Sequence, residues 1–118
     1  MRFDQHTVVL LTLDPDAPAM TDKETAALQD AHLSYTADMI EQGHVVAAGP
    51  TFGPDAGRMR GISVWSVDAD TTARLCANDP AVRAGRLTPQ ILTWMAPAGQ
   101  LLFGSVRVPR TTAEATGA

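Results

Sequence analysis

The sequence predicts an α+β fold with a β-α-β-β-α-β, ferredoxin-like order of elements. Three observations carry this: 118 residues hold one domain only, four apolar β-rich runs alternate with two helical stretches in that order, and no internal repeat interrupts them. His6 to Asp14 is β-branched and apolar on both alternating faces and reads as a central strand. Pro15 and Pro18 end it, because each removes a backbone donor and fixes φ. Thr21 with Glu24 three residues on makes a capping box, nothing breaks a helix from there to Gln42, and Gly43 supplies its terminator. Leu28, Ala31, Tyr35 and Met39 lie along one stripe of that helix.

Val45 to Phe52 reads as a second strand with small residues where something can approach the backbone, and Gly53 to Gly57 as a turn. Arg58 to Val67 reads as a third strand, close enough to the second for a hairpin. Asp70 is the expected cap of a short helix, Thr71 to Asn78, and Asp79-Pro80 opens a further turn closed by Gly85. Pro89 to Ala96 reads as the fourth strand. The expected domain covers residues 1–103, followed by a flexible tail over 104–118 that is small, polar and proline-containing.

Right-handed crossovers place both helices on one face of a four-stranded antiparallel sheet. The other face should then be polar, yet Val8 and Leu10 oppose Val9, Leu11 and Leu13, and Ile91 and Met95 oppose Leu92 and Trp94. Two short helices cannot cover both sides. A second copy packed sheet to sheet, a homodimeric α+β barrel, is the expected solution.

Composition narrows the function classes. Nine Lys and Arg against thirteen Asp and Glu give a net charge of -4 without a basic run, so no nucleic-acid partner is expected. Cys76 is the only cysteine, which removes disulfide frameworks and CxxC pairs. Three scattered histidines suggest no metal site, and Asp14 and Asp16 are explained by their turn. No apolar run is long enough for a membrane partner, and Asp4 and His6 stand where a secretory signal would carry basic residues, so a cytoplasmic location is expected.

His32 sits at the margin of the helix stripe, four residues after Leu28 and three before Tyr35. It reads either as a half-buried histidine bonded to a carbonyl or as a general base, since imidazole titrates near neutrality. Asp79 reads either as a helix cap or as the acidic half of a His–Asp pair, and the two are compatible because a capping carboxylate has a second oxygen. Whether the two side chains meet depends on helix packing. Arg58 and Arg60 could hold an anionic group or simply face solvent, and Tyr35 and Trp94 could wall an apolar pocket or belong to the core or a dimer seam. The glycines around Gly49-Pro50 match no phosphate-binding spacing.

His32-Leu33, Gly43, Ala48-Gly49-Pro50, Gly57, Gly61, Asp79-Pro80, Gly85-Arg86-Leu87 and Trp94, in that order, resemble the YCII-related family across about His6 to Ala96. The resemblance implies a dimeric α+β barrel with a site on His32 and Asp79 and no metal or organic cofactor. One branch of the family is a dehydrochlorinase acting on a chlorinated hydroxyquinol. Ala81 stands where an aromatic is usual, which implies a larger or differently shaped pocket. The expectation is therefore a small cofactor-free enzyme: His32 and Asp79 catalytic, with Gly49, Pro50, Tyr35, Arg60 and Trp94 around a small organic, cyclic substrate, by elimination, isomerisation or hydrolysis. Two other readings are a non-catalytic dimer that binds a metabolite and a cofactor-free monooxygenase.

Overall fold

The computed structural model describes residues 1–54 and 57–117. Its elements are β1 (Phe3–Leu13), α1 (Asp22–Glu41), β2 (Val45–Pro50), β3 (Met59–Trp65), α2 (Ala69–Ala77), α3 (Pro80–Arg83), β4 (Leu87–Pro97) and α4 (Thr112–Ala115). The four strands form one antiparallel sheet in the order β2-β3-β1-β4. This arrangement is compatible with the ferredoxin-like order expected from the sequence. Part of the expected Gly53–Gly57 turn, residues 55 and 56, lies outside the described residues.

β1 and β4 are longer than their apolar runs suggest. They pair over their whole length, from Phe3 opposite Pro97 to Leu13 opposite Leu87, so cross-strand pairing extends both beyond what side-chain pattern marks. Pro89 is tolerated inside β4 because that strand lies at the sheet edge, where a missing N–H costs little. β2 stops at Pro50, before Phe52, which is almost fully exposed.

α1 starts as expected: Thr21 accepts from the Glu24 N–H, and Glu24 accepts from the Thr21 N–H. Gly43, at φ +80°, turns the chain out of the helix where a side chain would be strained. The α2 cap is Asp68, which accepts from the Thr71 N–H, so the helix begins at Ala69 rather than Thr71. Both aspartates are competent caps; Asp68 takes the extended conformation the position needs.

The core lies between the sheet and the helices. Val9, Val45 and Trp65 from three strands meet Met39 from α1 and Cys76 from α2. Thr7 is buried on the same face and donates to the Val67 carbonyl at 2.7 Å. The opposite face carries Leu10, Ile62, Leu92 and Trp94, and the last three remain more than two-fifths exposed. The strands are apolar on both sides, and one of those sides is open.

The segment from Gly104 has no regular structure as far as Pro109, as its composition suggests. It then takes a form composition does not suggest. α4 lies against α1, Arg110 meets Asp38 at 3.0 Å and Glu41 at 2.7 Å, and Thr112 donates twice to Asp30.

Four carboxyls are held below their ordinary range by hydrogen bonds, first from backbone N–H groups: Asp14 by Asp16, Glu24 by Thr21, Asp30 by Thr112 and Asp68 by Thr71. A carboxyl depressed in the folded state contributes stability that is complete above its unfolded value and lost as pH falls through the folded one. Urea midpoints should therefore be flat from neutrality to about pH 5 and decline steadily to about pH 3. A midpoint unchanged at the acid end would contradict this.

Candidate active site

The Asp79-Pro80 corner fixes one half of the site. Asp79 is the α3 cap: its Oδ1 accepts from the Ala81 N–H at 2.9 Å, and Pro80 occupies a first-turn position that needs no donor. Its other oxygen, Oδ2, lies 2.7 Å from Nδ1 of His32 on α1. The capping reading and the pairing reading are thus realised by separate oxygens of one carboxylate. Both side chains are largely buried, His32 at 15% and Asp79 at 9% exposed.

The partner on Nδ1 determines the tautomer. A carboxylate that already accepts one N–H accepts a second from Nδ1–H, which leaves the lone pair on Nε2. Among the described residues no hydrogen bond engages Nε2. His32 and Asp79 both line a cavity of about 790 Å³ between α1, the sheet and α3. A histidine held by a carboxylate beside a cavity can work as a general base.

Other expected residues gather around the same cavity. Gly49 and Pro50 line it from the end of β2, and a side chain at Gly49 would meet nothing within 4 Å. Gly61 on the neighbouring strand is different: a Cβ there would sit 3.2 Å from the Gly49 carbonyl, so a side chain would push β2 and β3 apart by a few tenths of an ångström. Arg60 is the extra residue where β3 bulges, since Gly61 pairs with Leu11 and Met59 with Thr12. A bulge redirects a side chain that regular alternation would aim elsewhere, and Arg60 lines the cavity.

Tyr35 also lines it, but its hydroxyl is committed, donating to the Leu75 carbonyl at 2.6 Å. Burial and then the Asp79 charge push the Tyr35 phenol up, which keeps its proton on the hydroxyl. Trp94 is set apart. Strand alternation puts it on the open sheet face opposite the cavity, where it pairs with His6, their ring centroids 6.2 Å apart.

Some lining residues were not expected at the site. Arg86, part of the Gly85-Arg86-Leu87 motif, lines the cavity from the turn after α3 without an ion-pair partner among the described residues. Val108 and Pro109 come from the segment expected to be a tail. Cys76 lines it too, its thiol pushed up to about 12, first by burial and then by Asp79, which removes it as a nucleophile near neutrality. Among the described residues, no group of three or more His, Cys, Asp or Glu could hold a metal ion, and no helix is long and apolar enough to cross a membrane. The residue after Pro80 is the buried Ala81, which lines the cavity where a larger side chain would fill it.

Comparisons with known proteins bear on this geometry. The model of the YCII-related domain matches residues 7–95. No curated protein matches the chain. Among solved structures, the chain is similar to the 5-chloro-2-hydroxyhydroquinone dehydrochlorinase of Burkholderia phenoliruptrix AC1100 in complex with 2,5-dihydroxybenzoquinone. The two are 20% identical, with a TM-score of 0.55, over 75% of this chain and 92% of that one.

Proposed function

The chain belongs to the YCII-related family, and from that premise we propose that it is a small acid–base enzyme acting on a small, cyclic organic metabolite without a metal or organic cofactor. The observation that carries the proposal is the 2.7 Å contact between His32 Nδ1 and Asp79 Oδ2 beside a cavity of about 790 Å³. His32 Nε2 accepts a proton from a hydroxyl or an activated carbon of the substrate. Asp79 holds the imidazolium that results, and the proton is then returned to a leaving group, to a second atom of the substrate or to water. Elimination and isomerisation share this sequence; in hydrolysis His32 takes the proton from the attacking water instead and returns it to the leaving group. Arg60 holds an anionic substituent at the wall, and Gly49 and Pro50 leave room for a ring.

The similar solved structure is a dehydrochlorinase of a hydroxyquinol, so hydroxyquinols are the first substrates to try. The purified protein should convert members of a panel of chlorinated and unchlorinated hydroxyquinols, followed by absorbance and chloride release. Binding of panel members with no turnover of any would replace this reading with that of a binding protein.

A second copy of the chain covers the open sheet face in this proposal, with Ile62, Leu92 and Trp94 in the seam. Leu92→Lys combined with Trp94→Lys should halve the mass measured by sedimentation at micromolar concentration. A monomeric unsubstituted protein would remove the dimer from the proposal.

A further inference from the structure

We propose that the C-terminal segment from Val106 to Ala115 is a wall of the candidate site, latched onto α1 through Arg110, and that this wall limits what the cavity admits. The inference rests on the reading above only in taking the cavity beside His32 as the site. Val108, Pro109, Thr112 and Ala115 line that cavity together with His32 and Asp79. The segment lies beyond both the family match, which ends at residue 95, and β4, which ends at Pro97. It is therefore an addition to the shared domain, placed where it alters the site.

The hold of this segment is polar. Asp30, Ser34 and Asp38 recur every four residues along one stripe of α1, and Glu41 follows in the next turn. Arg110 donates to Ser34 Oγ at 3.2 Å, to Asp38 at 3.0 Å and to Glu41 at 2.7 Å, while Thr112 donates to Asp30 through N–H and hydroxyl. Glu114 closes the segment on itself, accepting from the Arg110 N–H. A second hollow of about 170 Å³ lies between Ile40 and Glu41 of α1 and Val106, Val108 and Arg110 of the segment. Side chains in the ion pairs are 36%, 49% and 68% exposed for Arg110, Asp38 and Glu41. Pairs this exposed are weak and screened by salt, so the latch holds the wall without fixing it permanently.

The test uses the full chain and needs no turnover. Arg110→Gln breaks the ion pairs without touching the sheet. Hydrogen exchange at the Thr112 amide should accelerate about tenfold in this variant, as expected for the loss of a small charged network. The apolar probe 8-anilinonaphthalene-1-sulfonate should bind at least about threefold more tightly, because apparent affinity scales with the open fraction. Raising sodium chloride to about 1 M should move the unsubstituted protein the same way. Val108→Trp keeps the latch and fills the wall, and should weaken probe binding. Exchange that accelerates without any change in probe binding, or probe binding unaffected by Val108→Trp, would overturn the proposal. Neither readout requires turnover, so failure of the acid–base reading and failure of the wall are separable.

Discussion

His32→Ala should lower turnover by about 10²–10⁴-fold, the usual contribution of a positioned general base, while the urea midpoint stays close to that of the unsubstituted protein. Stability survives because the pair faces a cavity, where water can take the place of the imidazole at Asp79 Oδ2. Two substitutions at Asp79 separate its roles. Asn at this position still caps α3, since its carbonyl can accept from the Ala81 N–H, but its amide nitrogen donates toward Nδ1. The imidazole then carries its proton on Nε2 and cannot accept another there. Asp79→Asn should therefore lose activity to about the same extent as His32→Ala at near-normal stability. Asp79→Ala should lose activity and a further ~1 kcal/mol of stability with the cap. Nitrogen chemical shifts of the His32 ring would display the tautomer directly. If Asp79→Asn retained full turnover, the aspartate would be a cap alone.

Trp65→Ala should cost about 3–5 kcal/mol, the range for removing a large buried aromatic side chain. That is a large part of the total stability of a domain this size. Trp65 is 5% exposed and packs with Val9, Met39, Val45 and Cys76, so its removal takes from all four the side chain they pack against. Its Nε1–H donates to Ser63 Oγ at 2.8 Å, and that partner is lost as well. Trp65→Phe restores most of the volume without the hydrogen bond and should cost roughly 1–2 kcal/mol. Thermal and urea unfolding would give both values. A Trp65→Ala protein within 1 kcal/mol of the original would mean that the core of Val9, Val45 and Met39 is not what holds the helices to the sheet.

Features that depend on neighbours in sequence were legible from the sequence. The Thr21–Glu24 capping box, the left-handed turn at Gly43 and the Asp79-Pro80 corner each need only a few adjacent residues, and each is present. The two-sided apolar strands were legible for the same reason, since alternation is local. Strand ends were not: Phe3 and Pro97 belong to the sheet only because each finds the other. The His32–Asp79 contact joins residues 47 apart, through the packing of α3 on α1, so spacing could nominate both residues but not bring them together. Trp94 shows the reverse, an aromatic of the family motif that strand parity turns away from the cavity. Arg110 left no trace at all, because an ionic latch has no periodicity and its acidic partners on α1 look like an ordinary solvated helix face.

Cys76 has a bearing on the kinds of guest the cavity can tolerate. Michael acceptors alkylate thiolates readily, and this chain places its single thiol in the cavity lining. With the thiol pushed up to about 12, only a trace of it is nucleophilic near neutrality. A thiol held protonated in this way is slow both to add to electrophiles and to start down the path to sulfenic acid.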